Sequence, residues 1–142
     1  MKKIDIKKLI FYILITYLIG GLPSIFVFKS MSTYNTLNKP PLSPPSVVFP
    51  IAWSILYLLM GISIYIIMQS KNKLKENARL IYFIQLVINA LWTPIFFGLK
   101  EYFFAFLWIL MLIVLVITMI LTFYKISKKA AYIQIPYLLW LL

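Results

Sequence analysis

The stretch YFFAFLWILMLIVLVITMILTFY, residues 102–124, decides the fold class. It contains no charged side chain, and it exceeds the roughly 20 apolar residues that a helix needs to cross the hydrocarbon core of a bilayer. Backbone groups in hydrocarbon must hydrogen-bond internally, and the run lacks the alternating pattern of a barrel strand. It is therefore predicted to be a transmembrane helix.

Similar apolar runs recur along the 142-residue chain, which is 63% hydrophobic and only 12% charged. A soluble globule of this composition could not remove its apolar side chains from water. The predicted fold is all-α, an integral membrane bundle of five transmembrane helices in a single domain. The predicted helices cover about residues 9–28, 47–69, 80–99, 102–124 and 130–142.

The fifth predicted helix, residues 130–142, is the shortest of the five. At a rise of about 1.5 Å per residue it covers only about 20 Å of a core that is about 30 Å thick. We expect the helix to be truncated here and the natural chain to continue beyond Leu142. A re-entrant final segment is the alternative.

The 14 basic residues lie in short clusters between the apolar runs and not on one soluble face, so no nucleic-acid partner is expected. A five-span topology places most of them on one side of the membrane: Lys2, Lys3, Lys7, Lys8, Lys71, Lys73, Lys75, Arg79, Lys125, Lys128 and Lys129. The other side receives Lys29, Lys39 and Lys100. The positive-inside rule then predicts a cytoplasmic N-terminus, in what we expect to be a bacterial cell membrane.

Cysteine and histidine are absent, which excludes disulfides, thiolate chemistry, the commonest metal ligands and any Ser-His or Cys-His nucleophile. The three acids, Asp5, Glu76 and Glu101, are predicted at helix ends or in loops. A carboxylate-coupled pump and a two-carboxylate hydrolase are therefore disfavoured. We expect no catalytic triad, no metal site and no required cofactor.

A second informative stretch is QLVINALWTPIFFG, residues 85–98. Gln85, Asn89 and Trp92 fall at i, i+4 and i+7, so they share one helix face, which should look into the bundle because a buried amide without a partner is costly. Pro94 removes an N–H and kinks the helix next to Trp92. Two interpretations carry equal weight: the face lines a pocket, or its amides join helices for roughly 0.6 kcal/mol per contact.

Two other helices carry comparable groups of aromatic residues. Trp53 and Tyr57 stand at i, i+4 on the second, and Tyr137 and Trp140 at i, i+3 on the fifth. If these faces converge with the third helix, they form an aromatic box capped by amides, suited to a flat, mostly apolar ligand. Trp108 is left open between lining a cavity and facing lipid.

The connection KSMSTYNTLNKPPLSPPS, residues 29–46, contains four prolines, which fix φ and lack a donor. It is predicted to be an ordered, largely extended lid. A plain connector stiffened by proline is an equally weighted alternative.

Three stretches together resemble the TspO/translocator protein family, the tryptophan-rich sensory proteins once called peripheral benzodiazepine receptors. They are KPPLSPPSVVFPIAWSILYLLMG, QLVINALWTPIFFG and KISKKAAYIQIPYLLW. The spacings Trp-x3-Tyr-x3-Gly, Asn-x2-Trp and Pro-Tyr-x2-Trp occur in the family's order. This chain departs from the family at Leu42 and Val47, where tryptophan is frequent.

The resemblance implies a five-helix bundle, commonly a homodimer in membrane lipid, with a cavity under the first loop that binds porphyrins and synthetic aromatic amides. Carried over to this chain, the expected ligand-binding residues comprise aromatic walls, polar edge contacts and two lid residues. They are Trp53, Trp92, Trp140, Tyr57 and Tyr137 for the walls, Asn89 and Gln85 for the edges, and Tyr34 and Pro44 for the lid.

The leading hypothesis is a membrane receptor or sensor with porphyrin as its ligand. A transporter of porphyrin or lipid is the alternative, although the chain shows neither buried charge nor an internal repeat. A third hypothesis follows from the resemblance, since some bacterial relatives degrade protoporphyrin in light. Trp53 and Trp92 would then be photo-redox partners of the bound porphyrin.

Overall fold

The computed structural model describes residues 4–27, 48–95 and 102–141, and these residues are helical apart from short turns. Six helices are present in this part of the chain: α1 Ile6–Val27, α2 Val48–Gln69, α3 Lys75–Thr93, α4 Tyr102–Ile126, α5 Lys128–Ile133 and α6 Ile135–Leu141. The short helices α5 and α6 follow each other through Gln134 and together form the fifth segment of the bundle. The all-α class is confirmed.

The helices pack into a closed ring. α1 packs against α2 and α3, α4 packs against α3, α5 and α6, and α2 packs against α5. Contacts between α2 and α3 cross the ring. The second, third and fifth segments, which carry the predicted site residues, therefore all border the same interior.

The third helix begins at Lys75, five residues before the predicted start, because local polar groups extend it past the apolar run. Asn72 accepts a hydrogen bond from the Leu74 N–H, and Glu76 forms an ion pair with Arg79 in the first turn. At the other end the regular helix stops at Thr93, before Pro94, which has no N–H to donate. The predicted end at residue 99 lies outside the described residues.

The fifth segment was predicted as one helix over residues 130–142, but it is interrupted at Gln134. Ser127 caps the first part by accepting a hydrogen bond from the Ala130 N–H. Pro136 cannot donate to the carbonyl of Tyr132, so the regular pattern of hydrogen bonds breaks there. Both short helices pack against α4, whereas close backbone packing against α2 is made by α5.

The outer surface of the bundle is strongly apolar. On α4, Phe103 is 75% exposed and Val114 63% exposed, whereas Leu112 and Val116 on the opposite face are buried. Among the described residues, the segments Ile51–Gln69 and Tyr102–Ile126 are long and apolar enough to cross a membrane. An apolar exterior of this kind is stable in lipid and unstable in water.

The crossing of α1 and α2 depends on two glycines. A Cβ atom at Gly61 would lie 2.8 Å from the Ile13 Cα, and one at Gly20 would lie 2.6 Å from Cε1 of Tyr57. Small residues allow this approach, which in membranes favours helix association by close packing. Gly20 therefore makes room for the ring of Tyr57 within the same chain.

We expect Gly61→Ala to destabilise the bundle by about 1–3 kcal/mol, because the new methyl group meets the backbone of α1, which cannot move aside locally. The measurement is a thermal or denaturant unfolding curve in detergent. Gly21→Ala is the matched control, since a Cβ there has nothing within 4 Å. Equal losses of stability in the two variants would contradict the assigned crossing.

Candidate functional site

A cavity of about 300 Å³ lies between four helices and is partly open to the outside; its volume is at the lower end of the usual range for ligand sites. It is lined by one residue of α2, two each of α3 and α4, and two of α6: Trp53, Asn89, Trp92, Ile109, Leu112, Trp140 and Leu141. Three indoles and one carboxamide from three separate segments thus meet around one hollow. The remaining lining residues are aliphatic.

Trp53 is the centre of an aromatic cluster beside the cavity. Its ring stacks on Tyr57 at a centroid distance of 5.5 Å, and it meets Tyr137 and Trp140 edge to face at 6.2 Å and 6.4 Å. Such pairs contribute about 0.5–1.5 kcal/mol each beyond their burial. The i, i+4 spacing on α2 and the i, i+3 spacing on α6 place these rings on facing helix sides.

A chain of hydrogen bonds lies behind the aromatic cluster and joins α2, α3 and α6. The Tyr57 hydroxyl lies 3.0 Å from Oδ1 of Asn89 and 2.9 Å from the Gly20 carbonyl, so its single proton serves either acceptor. Asn89 Nδ2 donates to the Tyr137 hydroxyl at 2.9 Å, and Tyr137 donates to Oε1 of Gln85 at 2.8 Å. The two amides of α3 are thus held by tyrosines of the neighbouring helices.

This network combines the two interpretations of the third helix. Asn89 both lines the cavity and joins the helices, whereas Gln85 is fully buried in the network and is not among the cavity-lining residues. Nδ2 of Asn89 carries two N–H bonds, and Tyr137 uses one of them. Asn89 therefore keeps donor capacity at the cavity wall, suited to a carbonyl or carboxylate oxygen.

The other predicted site residues lie apart from the cavity lining. Tyr57 and Tyr137 are buried behind Trp53, where they hold the amides in position. Tyr34 and Pro44, with the rest of the predicted lid, lie outside the described residues. Trp108, which the sequence left open, donates from Nε1 to the Ile88 carbonyl at 2.7 Å and so ties α4 to α3.

Sequence patterns missed the aliphatic part of the wall, Ile109, Leu112 and Leu141. These residues lie in runs that are apolar throughout, so no signal could have separated them from neighbours that face lipid. Among the described residues, no group of three or more His, Cys, Asp or Glu side chains is placed to hold a metal ion. The residues that line the cavity can cover a flat, apolar ring system and engage one polar edge of it.

Comparison with known proteins gives a consistent set of matches. The model of the TspO/MBR family matches residues 12–142. A tryptophan-rich sensory protein of Cereibacter sphaeroides is 36% identical over 114 residues, which are 80% of this chain and 71% of the relative. The tryptophan-rich protein TspO of Archaeoglobus fulgidus is 36% identical over 139 residues, 97% of this chain and 90% of the relative. The human translocator protein is 32% identical over 116 residues, 80% of this chain and 69% of the relative.

Proposed function

Because this chain belongs to the TspO/MBR family, whose members are membrane proteins, we propose that it is a membrane receptor or sensor for porphyrins and other flat aromatic ligands. The observation that carries the proposal is the convergence of Trp53, Trp92, Trp140 and Asn89 on one cavity. Protoporphyrin-type tetrapyrroles are a ligand class whose chemistry matches this lining. They combine a large apolar ring face with two carboxylate side chains.

Apolar and polar residues of the cavity wall contribute to binding in different ways. Indole rings and the aliphatic side chains of Ile109, Leu112 and Leu141 cover the apolar faces of the ligand, which favours its removal from water. Asn89 supplies a donor for one polar edge and is itself fixed by Tyr57 and Tyr137. A preorganised polar group of this kind gives orientation without a large entropy cost on binding.

The membrane orientation is part of the proposal. Asp5 donates its N–H to the Tyr65 hydroxyl, and the Ser63 hydroxyl donates to the Ala130 carbonyl, so the starts of α1 and α5 lie beside the end of α2. Clusters of lysine flank all three of these points. This arrangement supports a cytoplasmic N-terminus in a bacterial cell membrane by the positive-inside rule. The homodimer stays a prediction.

The decisive experiment is a titration of the purified protein with protoporphyrin in the dark. The absorbance and fluorescence of the porphyrin report its binding. We expect saturable binding with one porphyrin per chain, accompanied by quenching of tryptophan fluorescence. A flat aromatic competitor should displace the porphyrin, because both would occupy the same cavity. Non-saturable uptake equal to that of empty detergent micelles would refute the proposal.

Light-dependent degradation of the bound porphyrin is a second candidate function, favoured by the cluster around Trp53. Tryptophan and tyrosine are readily oxidised side chains, and here their rings lie 5.5 to 6.4 Å apart, next to the cavity. Mass spectra of illuminated and dark mixtures test it. Products that are the same in Trp53→Phe as in the unmodified chain would indicate ordinary photobleaching.

A further inference from the structure

A second hollow, of about 440 Å³, lies on the outer face of the bundle between α2 and α6. We call it the α2–α6 groove, and it is lined by Ala52, Ile55, Leu56, Pro136, Leu139 and Trp140. Ile55 is 54% exposed and Leu139 63% exposed, so the groove opens sideways, where the acyl chains of the bilayer lie. Its lining side chains carry no charge and are apolar apart from the indole N–H.

The groove and the interior cavity share one wall residue, Trp140. On both α2 and α6, residues one or two positions apart line different hollows. Ala52 lines the groove and Trp53 the cavity, and Leu139 lines the groove and Leu141 the cavity. The ring of Trp140 meets the ring of Trp53 at 6.4 Å, and this pair of indoles stands between the two hollows. The partition is therefore as thin as a side chain.

The boundary between α2 and α6, called the seam below, is closed by side chains and not by closely packed backbones. In the described part of the chain, α2 packs closely against α5 but not against α6. The interruption at Gln134, with Pro136 following, divides the fifth segment into α5 and α6. A seam closed by side chains opens by rotamer changes, which are fast, whereas a seam closed by packed backbones opens only when helices move.

We propose that the α2–α6 groove is a transient docking site on the route by which the same flat, apolar ligand passes from the bilayer into the cavity. Trp140 is the movable partition between the two sites. A ligand of this class dissolves in lipid, and the route spares it a passage through water. The inference rests on the proposed function, because it concerns the ligand of the interior cavity. Because the groove and the cavity share the wall residue Trp140, we favour the cavity's own ligand as the occupant of the groove over a lipid tail or a second copy of the chain.

The test fills the groove without touching the cavity. Ala52→Trp and Leu139→Trp add bulk at residues that line only the groove, and Val114→Trp adds the same side chain on the lipid-facing side of α4. Each protein, in lipid nanodiscs, is mixed with vesicles that carry protoporphyrin, and porphyrin fluorescence reports the rates. Blocking a route slows entry and exit equally, so we expect both rates to fall roughly tenfold while Kd stays within about twofold. Val114→Trp should leave both rates unchanged.

The possible outcomes separate the two proposals. If the unmodified chain does not bind protoporphyrin at equilibrium, the proposed function itself is refuted. If it binds, and both groove variants keep the rates of the unmodified chain, the groove is not the route. A weaker affinity with an unchanged association rate would also overturn the inference, because the bulk would then act on the cavity. Leu139→Trp, at an exposed position, keeps the test decisive should Ala52→Trp fail to fold.

Discussion

Trp92→Ala is expected to weaken protoporphyrin binding about tenfold or more in a dark titration. Trp92 lies on α3 one turn after Asn89, and its side chain lines the cavity. Stacking of a flat ring system on an aromatic side chain contributes about 1–3 kcal/mol, and each 1.4 kcal/mol corresponds to about a factor of ten in affinity. Trp92→Phe should retain most of the affinity, because a phenyl ring still offers a face to the ligand.

Trp108→Ala is the matched control for this prediction. It also deletes an indole, but Trp108 is not among the cavity-lining residues, and it is held by its hydrogen bond to the Ile88 carbonyl. We expect Trp108→Ala to lose stability and to keep its affinity for protoporphyrin. Trp92→Ala should lose affinity and keep most of its stability. Equal losses of affinity in the two variants would show that binding depends on general integrity and not on the cavity wall.

Tyr137→Phe is expected to lower the free energy of unfolding by about 1–3 kcal/mol, although it removes a single oxygen atom. That oxygen accepts from Asn89 and donates to Gln85, and all three side chains are buried. Its loss leaves one donor and one acceptor without their partner in the interior. Single hydrogen bonds inside membrane proteins average about 0.6 kcal/mol, so the larger expected value reflects the two orphaned groups.

The measurement is the midpoint of thermal unfolding in detergent, with Tyr132→Phe as the control. Tyr132 loses the same oxygen, but its side chain is 57% exposed on the outside of α5. It should unfold close to the unmodified chain. If the two variants unfold at the same temperature, the buried chain of hydrogen bonds does not stabilise the bundle. Protoporphyrin affinity should also fall in Tyr137→Phe alone, since Asn89 loses one of its two supports.

Much of the candidate site could be predicted because its polar and aromatic residues interrupt the apolar sequence of the membrane-spanning helices. An asparagine or a tryptophan beside a proline in an apolar run marks the interior face, and helical spacing then groups Asn89 with Trp92 and Trp53 with Tyr57. The faces do converge, as the shared cavity shows. The aliphatic wall could not be predicted, since Leu112 inside and Val114 outside are alike in sequence terms.

The difference between Gln85 and Asn89 also required the fold. They share a helix face one turn apart, yet only Asn89 lines the cavity, whereas Gln85 is fully buried and accepts a hydrogen bond from the Tyr137 hydroxyl. The interruption at Gln134 is another such case. Pro136 weakens the helix in the sequence, but only the fold shows that α6 packs against α4.

The amino-acid sequence by itself determined the class of protein, the number of membrane segments and the faces that avoid lipid, because these follow from hydrophobic length and helical period. Only the tertiary structure decided which side chains meet across helices, which amide atoms hydrogen-bond to tyrosines, and that Trp140 borders two hollows at once. Those properties depend on distances between segments far apart in the chain, and such distances are set by how the helices pack.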